Sequence, residues 1–83
     1  ILFLQQDGKC ALTGWSIEFS KTLSTKNQTT ASLDRINSSK GYVNGNLQWV
    51  HKDINMMKQQ FSQERFIEAC KAVQKYNQII EQI

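Results

Sequence analysis

Asp34-Arg35-Ile36, Gly41-Tyr42, Asn46, Asn55 and Lys58 bring a carboxylate, a guanidinium, a phenol, two amides and an amine into one short stretch of chain. Asp34 offers a hard anionic oxygen and Asn55 a neutral one. Hard oxygen ligands with water completing the shell suit Mg²⁺ or Mn²⁺ better than a thiolate-loving metal. One ion held by Asp34 and Asn55 would bind a non-bridging phosphate oxygen and a leaving 3′ oxygen. It would offset charge as a pentacovalent transition state forms. The chemistry in view is hydrolysis of a phosphodiester.

The other groups fit parts of the same reaction. Arg35 cannot be a base, because guanidinium stays protonated; its fork matches a phosphate and would stabilise transition-state charge. The alternative is a surface arginine paired with Asp53 or Glu18. Tyr42 is a group able to hand off a proton near the phosphate, or else an ordinary packed aromatic. A free phenol titrates near pH ~10, so the proton-transfer role needs a neighbouring positive charge. Asn46 has neither charge nor a useful pKa, and its expected work is to hydrogen-bond across a loop and hold Asp34 and Tyr42 in register. His51, the sole histidine, lies one turn before Asn55 on the same helix face. It is read as a packing or supporting group in preference to a ligand.

These residues need elements to position them. Ala31, Leu33 and Ile36 predict a short strand running out near Asp34. Leu47 and Trp49, alternating with Gln48 and Val50, predict a second. The loop of roughly ten residues between them contains Asn44-Gly45, a reversal signal, and loops of that length are often functional. His51 to Gln59 has helical character, with Ile54 and Met57 expected inward and Lys52 and Lys58 outward. Ser62 is a good N-cap for a last helix, with Gln63 and Glu64 in its first turn. Phe66, Cys70, Val73, Ile80 and Ile83 then keep helical spacing. That helix is expected to supply core that a β-β-α unit cannot make alone, with Cys70 as a small buried hydrophobe.

Upstream, Ile1 to Leu4 reads as the last turns of a truncated helix, and Asp7-Gly8 as a turn. Lys9 to Leu12 is a short strand or knuckle closed by Thr13-Gly14, and Trp15, Ile17 and Phe19 alternate as a brief strand would. Ser20 to Thr30 has little to bury and reads as a loop.

Eighty-three residues make one domain. The chain opens at Ile1 without an initiator Met, which suggests a piece of a longer protein. No run approaches the ~18 apolar residues of a membrane span, and no signal peptide pattern is present. Two cysteines, Cys10 and Cys70, do not make a disulfide scaffold. Reduced thiols and a cytoplasmic location are the default reading.

The net charge of +3 is unevenly spread. Residues 1–20 carry −1 and residues 59–83 carry zero, whereas residues 21–58 carry +4 from Lys21, Lys26, Arg35, Lys40, Lys52 and Lys58 against Asp34 and Asp53. The positive excess thus coincides with the polar constellation. An anionic partner is the functional reading, a solvated basic face the bland one.

Taken in order, the doublet Asp34-Arg35, the strand-opening Asn46 and Asn55 nine residues later resemble the HNH, or ββα-metal, endonuclease family. In that family's pattern the first member of the doublet and the helix residue bind metal. The second member is usually a histidine acting as base, and here Arg35 departs from it. One branch has the same Asp-Arg, Gly-Tyr, Asn, Asn series and includes a rare-cutting restriction endonuclease with a tyrosine as proposed nucleophile activator. This chain is similar to that branch through Ser32-Leu33-Asp34-Arg35-Ile36, Gly41-Tyr42, Gly45-Asn46 and Asn55-Met56-Met57-Lys58. The resemblance covers residues 10–60, and the helix from Ser62 resembles the tails of phage-type relatives.

The resemblance implies an α+β fold: a small ββα-metal unit with a truncated N-terminal helix and a packing C-terminal helix, forming one domain over residues 1–83. It implies a DNA endonuclease with one Mg²⁺ or Mn²⁺ on Asp34 and Asn55, with Arg35, Tyr42 and Asn46 in the reaction machinery and Lys40, Lys52 and Lys58 on DNA phosphates. Many relatives add a zinc braced by two cysteine pairs. The corresponding positions here are Cys10, Thr13, His51 and Ile54, and two ligands of four cannot close a tetrahedral site, so no structural zinc is expected. Flanking domains or a homodimer are left open. The competing reading is a catalytically inactive HNH-like module that binds DNA or a protein within a larger assembly, a reading that Arg35 keeps alive. A purely structural helical domain would leave Asp34, Asn46 and Asn55 without a reason.

Overall fold

The computed structural model describes residues 2–19 and 29–81. Most of the expected loop from Ser20 to Thr30, with Lys21 and Lys26, lies outside the described residues, as do Ile1 and Ile83. The architecture is α+β: in chain order α1 (Leu2–Gln5), β1 (Ala31–Arg35), β2 (Leu47–His51), α2 (Lys52–Lys58) and α3 (Gln63–Glu81).

β1 and β2 pair antiparallel, with Ser32 opposite Val50, Leu33 opposite Trp49, Asp34 opposite Gln48 and Arg35 opposite Leu47. Side chains alternate along a strand, so Ser32, Asp34, Gln48 and Val50 share one face. α2 packs on both strands and reaches that face through Asn55 and Lys58. The strand-to-helix switch is made by His51, whose extended backbone ends β2 and whose Nδ1 accepts from the Asp53 N–H at 3.1 Å. That bond satisfies one of the orphan donors of the helix start, and the Asp53 carboxylate suits the positive end of the helix.

α1 is a single turn closed by two left-handed residues, Asp7 (φ 56°) and Gly8 (φ 63°). The Gly8 N–H reaches the Phe3 carbonyl at 3.1 Å and the Asp7 N–H reaches that of Leu4 at 3.0 Å, a Schellman ending. The Gln6 side chain then lies along β2: its Oε1 accepts from the Trp49 N–H and its Nε2 donates to the Trp49 carbonyl, each at 2.9 Å. Residues 9–16 turn back tightly, with Cys10 N–H on the Trp15 carbonyl, Gly14 N–H on the Cys10 carbonyl, and Gly14 at φ 76°.

The core gathers Cys10, Ile17 and Val50, with Phe3, Leu12, Ala31 and Trp49 against them. Phe19 packs at 4.8 Å centroid distance against both Phe3, tilted at 58°, and Trp49, edge to face at 85°. Such aromatic pairs add roughly 0.5–1.5 kcal/mol each beyond the area they bury.

Several sequence expectations need correction. Trp15, Ile17 and Phe19 do not form a named strand; a single bridge, Lys9 to Ser16, is all the pairing present there among the described residues. α3 starts where Ser62 predicts, its hydroxyl accepting from the Arg65 N–H at 3.1 Å. Among the described residues its apolar stripe is largely unpacked, however: Phe66 is half-buried, but Ile67, Val73, Tyr76 and Ile79 are exposed, and so is Cys70. The core is supplied instead from the other end of the chain, by Phe3, Cys10, Leu12 and Ile17 against Val50 and Trp49. On α2, Ile54 points inward as expected, but Met57 is exposed and Lys58 is wholly buried. Among the described residues, no helix is long and apolar enough to cross a membrane.

Candidate functional site

Asp34, Arg35, Tyr42 and Asn55 line one cleft of ≈ 110 Å³, together with Leu33, Ser38 and Gln59. A water molecule occupies about 30 Å³ of liquid, so the cleft has room for a few waters or a phosphate oxygen. Three elements converge to build it. The end of β1 supplies Asp34 and Arg35, the loop between the strands supplies Ser38 and Tyr42, and α2 with its C-cap supplies Asn55 and Gln59.

Asp34 is held by two neighbours. Gln48, its cross-strand partner, donates from Nε2 to Oδ2 at 2.9 Å, and Lys58 donates from Nζ to Oδ1 at 3.2 Å. Lys58 also donates to the Arg35 carbonyl at 3.0 Å. The Gln48 amide nitrogen meets Oε1 of Gln63, the first residue of α3, at 2.8 Å. Asp34 is 4% exposed and Lys58 0%. Lys58 is therefore not the solvent-facing phosphate contact that the sequence reading expected. Its position four residues after the buried Ile54 and three after Asn55 puts all three on the inner face of α2.

Asn55 is oriented by Ser32, whose hydroxyl accepts from Nδ2 at 2.6 Å. That bond uses the amide nitrogen and leaves Oδ1 as the atom able to meet a cation. Arg35 is not paired with Asp53 or Glu18 among the described residues. Its guanidinium carbon lies 5.2 Å from the centroid of the Tyr42 ring, and Nη1 donates to the Lys40 carbonyl at 3.3 Å. Tyr42 itself is 64% exposed, so it is not a packed core aromatic.

Asn46 is buried beneath the same loop. Its Oδ1 accepts from the Asn37 N–H at 2.8 Å, while Nδ2 donates to the carbonyls of Asn37 at 3.1 Å and Gly41 at 2.9 Å. One side chain thus ties both ends of the turn that separates Arg35 from Tyr42. It does not line the cleft. Ser38 adds an anchor to the other side, donating to the Gln60 carbonyl at 2.6 Å. Lys40 and Lys52 are exposed.

His51 lies outside the cleft. It caps α2 and meets Trp15 edge to face at 5.3 Å. Cys10 and Thr13 lie in the turn of residues 9–16. Burial pushes the Cys10 thiol up, but hydrogen bonds from the Thr13 side chain and from the backbone of His51, Leu12 and Thr13 outweigh this. Its pKa lies below the ordinary thiol value. The knuckle shape is present, with a hydroxyl facing the sulfur.

Asp34 and Asn55 both line the cleft, and a carboxylate with an amide carbonyl is the oxygen chemistry a hard divalent ion takes. Among the described residues no cluster of three or more His, Cys, Asp or Glu exists that could hold an ion by itself. Water and a substrate phosphate would have to complete the shell, as is usual for Mg²⁺. Both carboxylate oxygens already accept one hydrogen bond, and each keeps a second lone pair. The residues fit an ion shared with a phosphate.

The sequence reading missed Gln48, Gln63 and Ser32. Gln48 was signalled by its place one residue from Trp49 and two from Val50, a polar side chain on the inward phase of β2. Comparison with protein-family models, with curated proteins and with solved structures gave no match.

Proposed function

We propose that this chain is a metal-dependent endonuclease domain that hydrolyses phosphodiester bonds in DNA. The observation that carries the reading is the convergence of Asp34, Arg35, Tyr42 and Asn55 on one cleft. Asp34 Oδ1 or Oδ2 and Asn55 Oδ1 would hold the ion, which when bound supplies Lewis-acid stabilisation of phosphate charge. Arg35 would neutralise a non-bridging phosphate oxygen, its position set by Tyr42 and the Lys40 carbonyl. A water oxygen attacks phosphorus as the bond to the 3′ oxygen breaks; the water's proton would pass through the hydroxyl of Tyr42, exposed at the rim, to solvent, and the 3′ oxygen would take a proton from solvent. Asn46 and Ser38 keep the loop that carries Tyr42 folded over the cleft. Lys40 and Lys52 would contact backbone phosphates, so that affinity falls with salt.

A second reading is supported by one specific observation. Both Asp34 oxygens are already bonded, to Lys58 and Gln48, which suits a DNA-binding module that does not cut. Plasmid nicking with Mg²⁺ or Mn²⁺, beside Asp34→Ala, separates the two. Nicking lost in Asp34→Ala supports the nuclease; DNA binding with no nicking by the unaltered chain supports the binding module.

A further inference from the structure

Lys58 has no part in the chemistry above, yet it is the most completely buried charged side chain among the described residues. Its ammonium touches Asp34 at 3.2 Å and the Arg35 carbonyl at 3.0 Å. Asp34 lines the cleft and Lys58 does not, so the contact is made from the protein side. A carboxylate this deeply buried is strongly destabilising unless a cation pairs with it. An ammonium or a divalent ion could meet that need, and here the ammonium already does.

The same pairing governs what an ion meets on arrival. Asp34 brings one negative charge, whereas Lys58 and Arg35 bring two positive ones, so this group is net positive before any metal enters. Such a site repels a free divalent ion and attracts a phosphate. The ion would enter with the phosphate or after it.

We propose that Lys58 is the resident counter-cation of Asp34, a positioning residue that makes the folded site independent of divalent metal and keeps it from capturing free metal tightly. This rests on Asp34 being a metal ligand. Removing the charge then transfers the pairing role to the ion: a metal-independent fold becomes a metal-dependent one.

The test uses the 83-residue chain and Mn²⁺ alone, read by the electron paramagnetic resonance signal of free Mn²⁺ and by thermal unfolding. Lys58→Met keeps most of the stem and removes the charge. It is expected to bind Mn²⁺ at least about tenfold more tightly than the unaltered chain. Without metal its midpoint should fall by roughly 10 °C or more, and saturating Mn²⁺ should recover most of that loss while moving the unaltered chain little. The double variant Asp34→Asn with Lys58→Met carries no buried charge. It should regain most of the midpoint without metal and bind no Mn²⁺, which keeps the test valid if the single variant folds only with the ion. Mn²⁺ affinity in Lys58→Met no higher than in the unaltered chain, or no recovery of its midpoint by Mn²⁺, overturns the proposal. If the unaltered chain still binds Mn²⁺ through Asp34 in the presence of a DNA oligonucleotide, the nuclease reading survives that failure. If no Asp34-dependent binding occurs in either chain even with DNA, both fall.

Discussion

The guanidinium of Arg35 lies over the ring of Tyr42 at 5.2 Å, which joins the end of β1 to the middle of the inter-strand loop. A cation over an aromatic face is worth about 0.5–1 kcal/mol at an exposed site, so the contact orients both side chains without locking them. If Tyr42 moves a proton, Tyr42→Phe keeps the ring and loses the chemistry. Single-turnover nicking should fall by about 100-fold or more, with DNA affinity unchanged. Tyr42→Leu should also weaken DNA binding, because Arg35 then loses its support. Nicking by Tyr42→Phe at the unaltered rate would remove Tyr42 from proton transfer and leave it a platform for Arg35.

Asn46 bridges Asn37 and Gly41 with three hydrogen bonds from a buried amide. Asn46→Ala removes three part-buried hydrogen bonds and leaves the Asn37 N–H without this partner, whereas the Asn37 and Gly41 carbonyls keep the N–H groups of Lys40 and Val43; it should cost about 1–2 kcal/mol in urea unfolding. Asn46→Asp should cost more, since it turns an oxygen toward two carbonyl oxygens. An aspartate variant as stable as the native chain would show that the loop has another fastening.

Ser32 holds the Asn55 amide at 2.6 Å. Groups that orient a ligand commonly contribute 10- to 100-fold to metal affinity or activity. If Asn55 holds the ion of the proposed nuclease, Ser32→Ala should raise the Mn²⁺ concentration needed for half-maximal nicking by roughly tenfold, while Ser32→Thr keeps the hydroxyl and much of the rate. Equal metal requirements in all three chains would mean that Asn55 needs no such support.

Much of this arrangement was legible in the order of residues, and the reasons differ from element to element. The two strands followed from alternation around Leu33 and Trp49, and α3 began where Ser62 could cap it. That Asp34, Tyr42 and Asn55 line one cleft followed from their places at a strand end, in the loop and on the next helix. Lys58 was not legible, because a lysine is ordinarily a surface group and its partner is fixed only when α2 lies on β1. The exposure of α3 was equally hidden: its apolar stripe is compatible with packing, and nothing local says that the core is drawn from Phe3, Leu12 and Ile17 instead.

Cys10 gives a pH dependence. Its folded-state pKa lies below the ordinary thiol value, because hydrogen bonds from Thr13 and the His51, Leu12 and Thr13 backbone outweigh burial. A lowered folded pKa favours the thiolate in the native state. The resulting stabilisation is complete above the unfolded thiol value, about 8.5, and is lost as pH falls through the lower folded value. The difference in urea midpoint between the native chain and Cys10→Ala should therefore grow as pH rises toward about 9. A difference that stays flat over that range would contradict the assignment.

Gln6 has a consequence for the molecule in company. A ribbon of two strands has two open margins, and its outer peptide groups can recruit a stranger's backbone. At Trp49 the Gln6 amide takes both groups, imitating a third strand one residue long, and the Ala11 N–H shares the carbonyl. Replacing that amide by an aliphatic side chain would free the Trp49 N–H while Ala11 still holds the carbonyl, and the first symptom would be turbidity on concentration.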